Sequence, residues 1–169
     1  KGVRANADLR LCRGQAAVAA SRGEVQFTEF GVSGPAVFEL SRAAATEKGP
    51  LTLRMDLLPQ LSLSDVEALL CQRIASMGEL TTENLLAGML HNRLGRTVLR
   101  YAGYGLTDSI AVLTSNDLQR VAKAIKQFSL PVIGTLGFDG AQVTAGGAEL
   151  SGFDPETLES KVVPGLFAC

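Results

Sequence analysis

The chain has 169 residues, 46% of them hydrophobic and 20% charged, so it can bury a core in one domain or two small ones. Sixteen Lys and Arg face 17 Asp and Glu, and the net charge of -1 lacks the basic excess typical of nucleic-acid-binding proteins. Since no apolar run approaches the ~20 residues of a membrane span, we expect neither a nucleic acid nor a membrane as a partner.

The first part of the chain shows the alternation of apolar and polar residues that is typical of β-strands. This alternation covers residues 3–11, 24–28 and 51–56. Arg22-Gly23 is a turn signal, so we expect it to join the first two strands as a hairpin. After a Gly- and Pro-containing break at residues 31–35, apolar residues at helical spacing over 36–45 predict one short helix.

Helical patterns occupy the middle of the chain. Apolar residues at three- and four-residue spacing predict helices at residues 64–77, 82–94, 98–102 and 115–128, with 108–113 open between helix and strand. Ser64 and Glu67 form a capping-box pattern for the first helix, and Gly95 is placed to end the second. Ser115, Asn116 and Asp117 offer capping oxygens for the last helix.

Strand-like alternation returns at residues 131–136 and 141–145. The helical block is therefore predicted to be an insertion into a sheet, and the fold class to be α+β. The strand at 141–145 runs into Gly146-Gly147, where bare backbone suits the close approach of a planar ligand or another chain. A bulge or tight turn explains the same glycines equally well.

No motif supplies catalytic or metal chemistry. The GVSGP run at residues 31–35 resembles a serine-hydrolase elbow, but Pro35 stands where the second glycine belongs. A small hydrolase using Ser33 would need a base that the lone His91 does not supply, and Ser33 is otherwise a turn or cap residue. Three widely spaced cysteines without a C-x-x-C pair predict no metal site and favour a reducing, cytoplasmic compartment.

A nucleotide site is also missing from the sequence. No G-x-x-x-x-G-K-[ST] run occurs, which excludes a P-loop. The run that begins at Gly103 starts like a dinucleotide fingerprint, but Asp108 takes the place of the third glycine. We therefore expect the chain to have no nucleotide site of its own.

Three long motifs resemble one protein family. They read GEVQFTEFGVSGP at residues 23–35, GFDGAQVTAGG at residues 137–147 and TLESKVVPGLF at residues 157–167. In their order and spacing these runs resemble the aminoacetone-oxidase-like and bile-acid-reductase-like bacterial FAD-dependent oxidoreductases. The resemblance extends over essentially the whole chain.

The resemblance implies a FAD-binding domain interrupted by an antiparallel β-barrel, which a small helical bundle subdomain interrupts in turn. On this basis residues 1–60 and 129–150 form the β-barrel, residues 61–128 the helical subdomain, and residues 151–169 a segment returning toward the FAD-binding domain. The glycine-rich FAD fingerprint and the rest of the flavin site would lie outside the chain, which begins with Lys rather than Met. We therefore expect FAD in the parent protein and none bound to this fragment alone.

The resemblance further implies that two glycine-bearing segments face the flavin edge. Their cofactor-binding candidates are Gly31, Ser33, Gly34, Pro35, Thr144, Ala145, Gly146 and Gly147. No catalytic residue is predicted, because the flavin carries the redox chemistry while the protein orients the substrate and excludes water. The chain is expected to be the substrate-side insert domain of an NAD(P)H-using oxidoreductase for a small molecule, inactive once excised. The alternative is a free-standing binding module with the same barrel.

Overall fold

The structure, a computed structural model, describes residues 2–77, 79–141 and 146–169. Its contacts divide the chain into two compact units, Lys1–Thr135 and Leu136–Cys169. None of the helices in the described ranges has the length and apolar character that crossing a bilayer would require. The predicted division into a β-barrel, a helical subdomain and a return segment stays a prediction.

The first unit contains a five-stranded antiparallel sheet and four α-helices. The strands are β1 (Val3–Arg13), β2 (Ala16–Phe27), β3 (Val32–Ser33), β4 (Leu51–Asp56) and β5 (Phe128–Val132). The helices are α1 (Pro35–Thr46), α2 (Leu63–Met77), α3 (Asn92–Tyr101) and α4 (Ser115–Lys126). The curled sheet has the order β3-β2-β1-β4-β5, and three of the helices lie between β4 and β5 in the chain. The α+β class is therefore confirmed.

The predicted hairpin turn at Arg22-Gly23 is wrong. Gly23 lies inside β2 and pairs with Ala7 of β1, while the turn is the two-residue connection Gly14-Gln15 between Arg13 and Ala16. Gly14 has φ +60°, the left-handed conformation that tight hairpin turns require. A run of alanines follows this turn, so the start of β2 has no hydrophobic alternation to reveal it.

The capping box of α2 lies two residues earlier than predicted. Ser62 Oγ accepts a hydrogen bond from the backbone N–H of Asp65 at 3.1 Å, and the Asp65 carboxylate accepts from the Ser62 N–H at 2.9 Å. These bonds satisfy amides at the start of the helix, which begins at Leu63 rather than Ser64. The Ser62 hydrogen bonds also hold the pKa of Asp65 below its usual value.

The predicted helix at 82–94 is also wrong, and the helix predicted at 98–102 is the last part of a longer helix. Residues Thr82–Asn84 form a single 3-10 turn, and α3 begins only at Asn92 and includes Gly95. Both the N–H and the hydroxyl of Thr82 donate to the Asp108 carbonyl at 2.8 Å, which fixes this turn against a distant segment. A Cβ at Gly95 would lie 3.1 Å from Leu86, so this glycine allows close packing rather than ending a helix.

The structure settles the segment 108–113 and the bounds of the helix predicted at 115–128. The ambiguous segment 108–113 contains a 3-10 turn at Ile110–Val112. Helix α4 is capped by Thr114, whose hydroxyl accepts from the Asp117 N–H while Asp117 accepts from the Thr114 N–H. The helix ends at Lys126, and Phe128 already belongs to β5, because that strand pairs with β4 from Met55 onward.

One hydrophobic core joins the sheet to the helices of this unit. Its largest fully buried side chains are Leu9, Met55, Leu70, Leu85, Leu86, Leu99, Ile110 and Ile125. Burying each such side chain stabilises the fold by about 1.5–3 kcal/mol. Leucines from the 82–94 segment belong to this core, although the helix predicted for that segment does not form.

The second unit, Leu136–Cys169, is held by turns. Its described residues include 3-10 turns at Phe138–Gly140 and Leu150–Gly152, and isolated bridges pair Phe153 with Ser160 and Glu159 with Phe167. None of these described residues is fully buried. Of the strand predicted at 131–136, only residues up to Val132 are observed, in β5, while residues 142–145 of the other predicted strand lie outside the described residues.

Candidate functional site

The first group of predicted site residues lies where β2 turns into α1. Gly31 is exposed in the loop after β2. Ser33 lies in β3 and pairs with Gln26 of β2. Gly34 stands at the N-cap of α1 and Pro35 is its first residue. The structure thus brings these four residues together in one short segment of the sheet edge.

Gly34 is required by the packing of this segment itself. Its φ is +107°, and a Cβ there would lie 2.8 Å from the carbonyl oxygen of Glu24 in β2. Its own carbonyl accepts hydrogen bonds from Val37 and Phe38, which close the first turn of α1. Ser33 provides no cap for this helix, contrary to one sequence interpretation, because the cap position falls on Gly34 and no side chain caps it.

Gly31 has a different environment. It has φ +151°, and no atom lies within 4 Å of the position that a Cβ would occupy. The loop is closed by Thr28, whose N–H and hydroxyl both donate to the Gly31 carbonyl, at 2.8 and 3.1 Å. Phe30, at the tip of this loop, is 84% exposed. Gly31 therefore has open space beside it, in a loop that two hydrogen bonds close.

Gly31 and Val32 border a groove with a volume of about 340 Å³. Both edge strands of the sheet contribute to it, and α3 forms its other wall. Its apolar lining consists of Val3, Phe27, Val32, Leu94, Phe128 and Leu130. The polar lining consists of Thr28 and Glu29 from the loop and Arg93 and Thr97 from α3. An apolar groove with a few polar groups at its rim is typical of a small-molecule site.

The start of α3 fixes the polar wall of this groove. His91 caps the helix, because its Nδ1 accepts from the backbone N–H of Arg93 at 3.2 Å. The Thr97 hydroxyl donates to the Arg93 carbonyl at 2.9 Å. His91 therefore acts as a cap residue rather than a ligand. Sequence reasoning missed Arg93 and Thr97, although arginines at positions 93, 96 and 100 were a visible signal.

The second group of predicted site residues lies in the second unit. Gly146 and Gly147 are exposed, have φ of +125° and +136°, and would carry a Cβ into open space. Thr144 and Ala145 lie outside the described residues. Across the described ranges, no three His, Cys, Asp or Glu side chains are grouped as a metal ion would need.

A polar cluster outside the groove lining joins the loop after α3 to α4. The Tyr104 hydroxyl donates to Asp117 Oδ1 at 2.7 Å, and the Arg120 guanidinium lies 5.7 Å from the Tyr104 ring centre. Burial, together with the hydrogen bond to Asp117, raises the pKa of Tyr104 to about 12. Hydrogen bonds from Thr114, and then from Tyr104, lower the pKa of Asp117 to about 2. Both groups serve helix packing and capping.

The family model of the HI0933-like protein barrel and H2TH domain matches residues 2–143. The chain belongs to the HI0933-like family. The sequence resemblance to bile-acid-reductase-like flavoproteins is confirmed, and this HI0933-like domain is related to FAD-dependent oxidoreductases.

Two curated relatives are similar to this HI0933-like domain. It is 31% identical to the 3-dehydro-bile acid delta(4,6)-reductase of Clostridium scindens over 169 residues, which cover 98% of the chain and 41% of that protein. It is 30% identical to the ribosomal RNA dihydrouridine synthase of Escherichia coli over 146 residues, or 86% of the chain and 35% of that protein. The chain thus spans less than half the length of either relative.

The relationship to FAD-dependent oxidoreductases implies FAD in a longer protein. A flavin ring is planar, so the backbone that faces it must lack projecting side chains. Gly31, Gly146 and Gly147 meet this requirement, because each leaves open the space that a Cβ would fill. Gly34 does not, since the chain itself occupies that space. Three of the predicted glycines therefore fit contact with a flavin.

Proposed function

We propose that this HI0933-like domain covers the flavin and forms the substrate-side wall of an FAD-dependent oxidoreductase. One observation carries the proposal: Gly31, from the segment predicted to face the flavin, borders the same groove as Arg93 and Thr97 of α3. A substrate held in this groove would lie beside the predicted flavin-facing backbone. The FAD-binding domain of the same parent chain is the proposed partner, and the cytoplasm is the proposed compartment.

Within this proposal the chain's residues bind and orient rather than react. When bound, FAD transfers hydride between NAD(P)H and the substrate. Gly31, Gly146 and Gly147 would allow close approach of the ring, with Ser33, Gly34, Pro35, Thr144 and Ala145 as their predicted neighbours in the cofactor-facing segments. The apolar groove would exclude water, which strengthens electrostatic interactions at the reacting atoms. The Thr28 and Thr97 hydroxyl oxygens can accept a hydrogen bond from a substrate O–H or N–H, since each hydroxyl already donates its proton to a backbone carbonyl.

The two relatives suggest a reaction class for the parent protein. One is named for reducing a 3-dehydro-bile acid and the other for making dihydrouridine. In a 3-oxo steroid with an adjacent double bond, and in uracil, the reducible C=C bond is conjugated to a carbonyl. We propose that the parent reduces such a bond, with hydride added to the β-carbon and a proton to the α-carbon.

The groove can be tested in the full-length parent protein with Gly31→Ala. The new methyl group would occupy the open space beside the predicted flavin edge, and we expect at least about a tenfold loss of kcat/KM for NAD(P)H-dependent reduction of an unsaturated ketone. Gly49→Ala is the matched control, because Gly49 also has positive φ and open surroundings. Gly49 lies in the connection between α1 and β4 and does not line the groove.

The outcomes separate the alternatives clearly. Equal activity of the two variants would contradict a flavin-facing role for Gly31. Tight, stoichiometric flavin binding by the 169-residue chain alone would contradict the assignment of the FAD site to another domain. A parent protein that binds no flavin and oxidises no NAD(P)H would instead favour the binding-module alternative.

A further inference from the structure

Tyr101 lies at the end of α3 and packs against the wall of the groove. Its ring centre is 4.8 Å from that of Phe128, with the two ring planes inclined at 58°. Phe128 is buried and lines the groove, whereas Tyr101 is 49% exposed. The Tyr101 ring is therefore fixed beside the groove lining, while the side chain stays accessible to a ligand.

Tyr101 shares a helix face with residues of α3 that line the groove. Leu94, Thr97 and Tyr101 follow one another at three- and four-residue spacing, so they lie on one side of the helix. Helical side chains lean toward the N-terminus of their helix, which directs Tyr101 back over the turn that contains Thr97. Since Thr97 is part of the lining, Tyr101 lies at the edge of the groove.

The hydroxyl of Tyr101 has its proton available. Among the described residues it has no hydrogen-bond partner, and its recorded contact is the ring of Phe128. Tyr104 is the other tyrosine of the chain, and its hydroxyl already donates to Asp117 at 2.7 Å. Of the two phenols, only that of Tyr101 can donate to a ligand without breaking an internal hydrogen bond.

The described polar side chains that line the groove are poorly suited to release a proton. The hydroxyls of Thr28 and Thr97 already donate to backbone carbonyls, at 3.1 and 2.9 Å. An ionised carboxylate such as that of Glu29 only accepts hydrogen bonds, and an arginine such as Arg93 is not deprotonated in proteins. A phenol, in contrast, can act as a general acid.

The proposed reaction requires a proton donor of this kind. NAD(P)H supplies a hydride through FAD, and its addition to the β-carbon of an unsaturated ketone leaves an enolate. We propose that Tyr101 gives the α-carbon its proton. The O–H bond breaks as the electron pair of the enolate forms the new C–H bond, and water returns a proton to the phenolate. This inference rests on the proposed function and goes beyond it, because there the chain's residues only bind and orient.

The test uses the full-length parent protein with FAD bound and cyclohexenone as the substrate. Tyr101→Phe keeps the ring on Phe128 and removes only the hydroxyl. Anaerobic stopped-flow absorbance measures flavin reduction and flavin reoxidation separately. Reduction by NAD(P)H does not involve the substrate's proton, so we expect its rate to stay within about twofold. Reoxidation by cyclohexenone should slow at least about 100-fold, which is the usual contribution of a general acid.

Nitrocyclohexene distinguishes a missing proton from a distorted groove. Hydride addition to a nitroalkene gives a nitronate, which is stable without a proton on carbon. We therefore expect nitrocyclohexene to reoxidise the flavin of Tyr101→Phe within about threefold of the unmodified rate. The variant should release the nitronate, which is detected by its ultraviolet absorbance. A purely structural role of Tyr101 would instead slow the reaction of both compounds alike.

Tyr104→Phe is the matched control, because it removes the same hydroxyl from a tyrosine whose partner Asp117 lies outside the groove lining. We expect both half-reactions of this variant to remain within about threefold of the unmodified protein. His91→Asn keeps a side chain that can cap α3 and removes an imidazole that can release a proton. Circular dichroism confirms that each variant is folded.

Three results would overturn the proposal. The first is reoxidation of Tyr101→Phe by cyclohexenone at the unmodified rate. The second is equal slowing of this variant with nitrocyclohexene, which would indicate a structural role. The third is an equal loss in Tyr104→Phe or His91→Asn. In all three cases the unmodified parent still reduces cyclohexenone, so the proposed function is unaffected. An unmodified parent that cyclohexenone does not reoxidise would contradict the proposed function itself, and this inference with it.

Discussion

Lys126 connects three segments of the first unit through its ammonium group. Its Nζ lies 2.6 Å from Asp56 Oδ2 at the end of β4, and it donates to the carbonyl oxygens of Leu58, at 3.0 Å, and Leu61. The side chains of Lys126 and Asp56 are only 14% and 22% exposed. Asp56 also accepts from the Leu58 N–H at 3.1 Å, so these groups fix the connection from β4 to α2.

We predict that Lys126→Met destabilises the protein by about 2–3 kcal/mol. The substitution keeps the aliphatic stem but removes the charge and all three contacts. Breaking a fully buried pair costs about 3–5 kcal/mol, because it leaves one charge without compensation. The residual exposure of Asp56 lets water hydrate its carboxylate, which reduces this cost. For a chain of this length the predicted loss corresponds to a fall in Tm of roughly 5–10 °C.

Urea unfolding followed by circular dichroism measures this difference. Lys123→Met is the matched control, since Lys123 lies one turn earlier in α4, is exposed, and has no ion pair with the residues that the structure describes. We expect the control to change the free energy of unfolding by less than about 0.5 kcal/mol.

A double-mutant cycle with Asp56→Asn isolates the pair itself. A coupling free energy above about 1 kcal/mol between positions 56 and 126 is expected for contacting charges with little exposure. If Lys126→Met and Lys123→Met were equally stable, the reasoning from burial and hydrogen bonding would be refuted.

Two further predictions concern stability. Gly34→Ala should destabilise the protein by about 2–4 kcal/mol in urea unfolding, because it combines an unfavourable φ with a Cβ 2.8 Å from the Glu24 carbonyl. The control Gly49→Ala shares only the unfavourable φ. An equal loss of stability in both variants would contradict the steric argument. Asp117 has a lowered pKa, near 2, so its carboxylate stabilises the fold above its unfolded pKa of about 4, and this contribution is lost as pH falls through 2. The stability difference between the native chain and Asp117→Asn should therefore shrink between pH 5 and pH 2, whereas a constant difference would show that the carboxylate charge is not responsible.

Local signals identified several elements correctly. The alternation from Val3 to Leu11 marks a strand whose faces have different burial, and β1 indeed covers Val3–Arg13. The apolar spacing after Pro35 likewise coincides with α1, because proline suits the first turn of a helix. The three long motifs were sufficient to identify the family, because their residue order and spacing resemble it over the whole chain.

The glycines show where local signals failed. Gly23, Gly34 and Gly95 look alike in the sequence, yet Gly23 lies inside a strand, Gly34 faces the Glu24 carbonyl and Gly95 packs on Leu86. In each case the neighbour that explains the glycine lies well away from it in the chain or on another element. Such contacts form only when the chain has folded, so single-segment patterns do not distinguish these roles.

The sequence by itself determined the family, the α+β class and the two glycine-bearing segments proposed to face a flavin. Those features depend on local periodicity and on residue order within a motif. The groove beside Gly31 depended on tertiary structure, because it joins strand edges to Arg93 and Thr97, more than 60 positions along the chain. Packing of α3 against the sheet brings these residues together, and it also determines that the arginines of α3 remain at the surface.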